Sequence, residues 1–201
     1  MGIKVILSIS CGLVFIAAFI PYIRAIVREE ARPRKATWLV WALGDIIILS
    51  GMLTKHTVSG LMVGAVIGAT TTFLLSLKYG ETGWTTRDKI CLTLSGLAIL
   101  LWLYFGDSNV GIAFSLIALA VAVWPTYVSA WVMPENEDRK AWVLFNVSNV
   151  LAIMAIPRLT FADVAPPIVF MAIDVPMLYL LFVHPYVQID ARPKAERMAG
   201  R

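Results

Sequence analysis

Apolar residues in this chain are gathered into long blocks, and the charges fall between the blocks. The runs are Val5–Ile23, Ala36–Leu53, Val58–Leu77, Ile90–Phe105, Val110–Val132, Ala141–Ile156 and Val164–Val187, each 16 to 24 residues long. About 20 apolar residues in a helix span the roughly 30 Å of bilayer hydrocarbon, so the pattern predicts an all-α integral membrane fold with seven transmembrane helices. The fourth and sixth runs are the shortest, at 16 residues, with Trp84, Tyr104 and Trp142 placed to anchor their ends at the interface. The first run has Lys4 before it and Ala17-Ala18 within it, as a signal peptide would. It is longer than such an apolar region, and no small-x-small cleavage site precedes Pro21, so a retained helix is expected.

The chain also repeats itself. Pro21 and Pro125, Trp38 and Trp142, and Asp45 and Asn149 are each 104 residues apart; Tyr22 and Tyr127, Ala25 and Ala130, and Lys35 and Lys140 are 105 apart. One small insertion accounts for the change of offset, and a repeat of this period predicts two copies of a three-helix unit. The expected organisation is a first repeat over 1–80, a connector helix over 81–106, a second repeat over 107–187 and a basic tail over 188–201. The odd unit needs the connector if both copies are to point the same way.

Composition agrees with a membrane setting: 59% of residues are apolar and 15% charged, against about 45–50% and 25% in soluble domains. With the amino terminus outside, fourteen of the seventeen Lys and Arg residues fall in inner segments, leaving Lys4, Lys55 and Arg158 outside. That asymmetry predicts an N-out, C-in topology. Cys11 and Cys91 sit in apolar runs at different depths, which predicts packing residues and no disulfide. His56 and His184 are expected near opposite faces, so no metal site or cofactor is expected. Nothing points to nucleic acid; the expected partners are the lipid bilayer and a small solute, with a homo-oligomer compatible with the same pattern.

Candidate chemistry lies at mid-depth. Asp45, Asn149, Asp174 and Thr70 are eight to twelve residues into their runs, which puts each near the bilayer centre. Two repeat-related pairs, Asp45/Asn149 and Thr70/Asp174, thus reach one level from four helices. Trp38, Trp41 and Asp45 share one helical stripe, and Trp142, Asn146 and Asn149 another, as the walls of a solute cavity would. A carboxylate at this depth is costly and ordinarily faces a wet cavity, a partner or a proton path, so Asp45 and Asp174 are also the candidates for proton coupling. Pro21, Pro125 and Pro176 are candidate hinges or gates, because a proline within a helix frees a carbonyl and permits bending. Asparagines and threonines can equally tie helices together, and tryptophans can equally mark the interface.

This plan of three, one and three helices, with a proline near the start of the inner loop in each repeat, resembles the PQ-loop/SWEET superfamily of small-solute carriers. The resemblance is topological: Pro21-Tyr22 and Pro125-Thr126 stand where the family pattern has Pro-Gln, and the prolines of the family's second and sixth helices are missing. It implies a bacterial inner-membrane carrier with its site between the bundles, formed by Asp45 and Asn149 with Trp142 nearby, and by Thr70 and Asp174. Paired aspartates are similar to those of proton-coupled members. The expected function is therefore transport of a small polar or cationic solute by alternating access, proton-linked if either aspartate exchanges a proton. A receptor, sorting protein or assembly factor on the same fold is the alternative. No enzyme is expected: the last helix has no Schiff-base lysine, and residues 42–45 read Ala-Leu-Gly-Asp, not the Gly-x-Gly-Asp of intramembrane aspartyl proteases.

Overall fold

The computed structural model describes residues 2–83 and 85–185, and all their regular structure is helical. The helices are α1 (Gly2–Val27), α2 (Lys35–Thr54), α3 (Gly60–Tyr79), α4 (Thr86–Phe105), α5 (Ser108–Ala122), α6 (Trp124–Val132), α7 (Arg139–Ala155) and α8 (Phe161–Phe182), with a short 3-10 turn at Pro134–Asn136. Among the described residues, five segments are long and apolar enough to cross a membrane: Gly2–Val27, Lys35–Thr54, Gly60–Tyr79, Ser108–Val132 and Phe161–Phe182. That agrees with an integral membrane protein. The expected basic tail over 188–201 lies outside the described residues.

Two of the seven expected crossings fall outside those five. The fourth run sits in α4, whose first turn adds Arg87, Asp88 and Lys89; the sixth sits in α7, which is 17 residues long and begins Arg139-Lys140. At 17 residues α7 is about 25 Å long, short of the roughly 30 Å of bilayer hydrocarbon. The fifth run is interrupted. Val123 ends α5, and Pro125 occupies the first turn of α6, where its missing N–H costs nothing. Pro21 and Pro176, by contrast, lie inside α1 and α8.

Several helix starts are written in the sequence. Asp107 accepts the N–H groups of Asn109 and Val110, Asp138 that of Ala141, and Thr160 that of Asp163. The two backbone donors on Asp107 hold its carboxyl below the usual range.

The packing has a paired form. Helix α3 lies against both α1 and α2, and α8 lies against α7 and the α5–α6 pair. Across the molecule α1 packs on α7 and α2 packs on α5, while α4 lies chiefly against α5. Glycine decides how close α1 and α3 come. A Cβ on Gly60 would stand 1.9 Å from the Ser8 carbonyl oxygen, and one on Gly12 2.7 Å from that of Gly60. Gly68 in turn lies under the ring of Phe19. The α1–α7 seam is closed by polar contacts: Ser148 Oγ donates to the Cys11 carbonyl at 2.9 Å, and Cys11 Sγ lies 3.2 Å from Ser148 Oγ.

Candidate functional site

Asp45 is the eleventh of twenty residues in α2, and Asp174 the fourteenth of twenty-two in α8. Each is therefore about 15–20 Å from its helix start, at 1.5 Å per residue. Both line a small central cavity of about 30 Å³. Its other lining residues are four aliphatic side chains and the rings of Phe15, Phe19, Trp38, Trp41, Phe145 and Phe170. The space suits one or two waters, so the centre is closed in this conformation.

The two carboxylates are treated differently. Asp174 Oδ2 accepts the Asn149 amide at 2.7 Å. Asp45 is 3% exposed, and its Oδ1 has no hydrogen-bond partner. Among the described residues no lysine or arginine lines the cavity, so neither aspartate is paired with a described cation there.

Four of the residues expected at a site, Trp38, Trp41, Asp45 and Asp174, line this one cavity. Asn149 reaches it through Asp174. Trp142 stands one ring away, its centroid 6.3 Å from that of Trp41. Asn146 and Thr70 are not in the lining. The Asn146 amide bonds the Trp142 carbonyl of its own helix at 2.9 Å. Thr70 is one position past Ala69, which does line the cavity, and a step of about 100° around the helix turns it away. The structure pairs Asn149 with Asp174, where the repeat had paired Asn149 with Asp45 and Asp174 with Thr70.

The segments that carry Pro125 and Pro176 are tied to this centre. Thr37 Oγ1 donates to the Ala122 carbonyl at 2.8 Å, and Trp41 Nε1 to the Leu119 carbonyl at 3.2 Å, both just before the α5–α6 break. Pro176 has no N–H to close its helical bond in α8, and the nearby Ile173 carbonyl accepts the Tyr127 hydroxyl from α6.

The cavity lies between polar assemblies at the two ends of the bundle. At the Arg34 end, Glu137 is 5% exposed and accepts the Trp142 indole N–H at 3.0 Å. The Tyr22 hydroxyl lies beside the same carboxylate without a hydrogen bond of normal geometry. Burial pushes the Glu137 carboxyl up to about 7; Trp142 and Tyr22 oppose the rise, while Glu81 and Asp138 add to it. Beyond Glu137 a cavity of about 360 Å³ is lined by Glu30, Arg139 and Lys140 among others. Arg34 bridges Glu81 at 2.7 Å and Asp88 at 3.7 Å, and Glu81 accepts Ser129 of α6 at 2.9 Å. At the Lys4 end, Asp163 is held by Thr57 at 2.6 Å, Thr160 at 2.7 Å and Arg158 at 3.2 Å. A cavity of about 200 Å³ opens there beside Lys4, Ser8 and Thr57.

Sequence reasoning missed Glu137, Tyr22 and the four phenylalanines. Phe15 and Phe19 were visible as an i, i+4 pair, and Phe145 follows Trp142 by three; Glu137 carried no local signal in its charged loop. In comparison with known proteins, the chain matches no family model, no curated protein and no solved structure.

Proposed function

We propose that the chain is a membrane carrier that moves a small polar or cationic solute by alternating access between two three-helix bundles. In this reading α1–α3 form one bundle, α5–α6, α7 and α8 form the other, and α4 is the connector. The chain then crosses the bilayer seven times, with the Lys4 end outside and the Arg34 end inside. The paired packing supports the repeat: α1 on α7 and α2 on α5 are the same contact with the two units exchanged. In each unit the third helix lies against both of the others.

The observation that carries the reading is the central cavity. It is lined from both units, at mid-depth, by two carboxylates without cationic partners, and a separate cavity lies toward each end of the molecule. A structural core gains nothing from two such groups at that depth, whereas a carrier can discharge them with a solute or a proton. The geometry supports a closed state with the inner side sealed by Tyr22, Trp38, Trp142 and Glu137. Relatedness to the PQ-loop/SWEET superfamily and a bacterial inner-membrane location belong to the same proposal.

Reconstitution tests it. Purified protein in liposomes should carry a solute first found by thermal-shift screening at pH 5.5 and 7.5, and Asp45→Asn or Asp174→Asn should reduce flux at least tenfold. Specific binding without flux would favour a receptor or assembly factor. Cysteines at Lys4 and at Lys140 should label from opposite sides of the membrane.

A further inference from the structure

The central cavity is chemically selective in a way that the carrier reading, on which this inference rests, leaves open. Its twelve lining residues comprise six aromatic rings, four aliphatic side chains and two aspartates. The rings form a continuous set. Centroids lie 5.7 Å apart for Phe15 and Phe19, 5.0 Å for Phe15 and Phe145, 4.9 Å for Phe19 and Phe145, 5.9 Å for Phe19 and Trp38, and 5.0 Å for Trp38 and Trp41. Such a wall offers π faces and little hydrogen bonding. The indole N–H of Trp41 is already given to the Leu119 carbonyl.

Solute classes can be sorted against that wall. A sugar needs a donor or acceptor for each buried hydroxyl, and most would go unmatched here, each at the desolvation cost of an unpaired polar group. An anion meets two carboxylates. A neutral hydrocarbon leaves the unpartnered Asp45 Oδ1 buried with nothing to discharge it. An alkylated ammonium satisfies all three demands, because its charge faces Asp45, its methyl groups need no hydrogen bonds, and aromatic faces attract it by cation–π interaction within about 6 Å. We propose that the cavity is a binding site for an alkylated or quaternary ammonium solute, held by Asp45 and the rings of Phe15, Phe19, Trp38 and Trp41. Asn149 already satisfies one oxygen of Asp174, which leaves Asp45 as the chief counter-charge. At about 30 Å³ the site is contracted, and the solute enters when the two units part.

Choline and its uncharged carbon isostere, 3,3-dimethylbutan-1-ol, are matched probes of that charge. Choline should quench tryptophan fluorescence and raise the melting temperature of the intact protein saturably, and the isostere should do neither at equal concentration. Trp41→Leu should weaken choline binding at least tenfold, and Asp45→Asn should abolish it with the unliganded fold retained. Equal responses to choline and isostere, or unchanged choline binding in a folded Asp45→Asn protein, would overturn the assignment. The first comparison uses only the wild-type protein and so stands even if the variants fail to fold. Choline binding without flux in liposomes keeps this site and removes the carrier reading. Flux of glucose without choline binding keeps the carrier and removes this site.

Discussion

Glu137 gives the most sharply quantified test. Its carboxyl, usually near 4.5, is pushed up to about 7 by burial beneath Trp142 and Tyr22. At about 1.4 kcal/mol per pH unit, the folded protein disfavours the charged form by about 3 kcal/mol relative to the unfolded chain. Because the folded pKa lies above the unfolded one, the folded state binds the proton more tightly between them. Stability therefore falls as pH rises from 4.5 to 7 and stays low above 7. Glu137→Gln keeps an acceptor for the Trp142 indole but carries no charge. The variant should be more stable by just under about 1 kcal/mol at pH 5, the difference growing to about 3 kcal/mol at pH 8. Thermal or denaturant unfolding in detergent across pH 5 to 8.5 measures this, and the difference between the proteins isolates Glu137 from the other carboxylates. Parallel curves would refute the burial argument. The same sign applies to any conformation that wets Glu137: raising pH through 7 should favour opening at that end.

Glycine substitutions should separate rigid from yielding contacts. Gly60→Ala meets the Ser8 backbone at 1.9 Å and should destabilise by about 1–3 kcal/mol or more, whereas Gly44→Ala meets only the end of Leu119 at 2.1 Å and should be nearly neutral in a melting assay. Asn149→Leu removes the donor to Asp174 and should cost about 1–3 kcal/mol in chemical denaturation. Arg34→Met leaves the buried Asp88 without its cation, and unfolding measurements should show a loss of about 2 kcal/mol, reduced from a fully buried pair because Glu81 is partly solvated. Tyr127→Phe should cost about 1 kcal/mol, read as a lower melting temperature.

Block hydropathy made the helical class and most helix positions legible, since an apolar run between charges leaves the backbone little alternative in a bilayer. Single-residue spacing also placed Trp38, Trp41 and Asp45 on one stripe, and the structure sets all three on the central cavity. Partners were harder to read. Asn149 bonds Asp174 and not the Asp45 side of the cavity because α7 packs on α8, and an internal repeat cannot state which neighbour a side chain meets. Thr70 had the right depth but the wrong face, since depth follows from counting and face depends on the turn of one residue. The break at Val123 was hidden because Pro125 lies inside an unbroken apolar run, and composition does not register a helix restarting. Glu137 illustrates the remaining limit: a carboxylate in a charged loop looks solvated until Trp142 and Tyr22 fold over it.

The Tyr127 hydroxyl on the Ile173 carbonyl ties the helix that restarts at Pro125 to α8, which runs unbroken through Pro176. A hydrogen bond worth about 1 kcal/mol between them favours concerted movement severalfold over movement of either alone. The half of the molecule containing α5 to α8 should then shift more nearly as one piece than the same helices would without that hydroxyl.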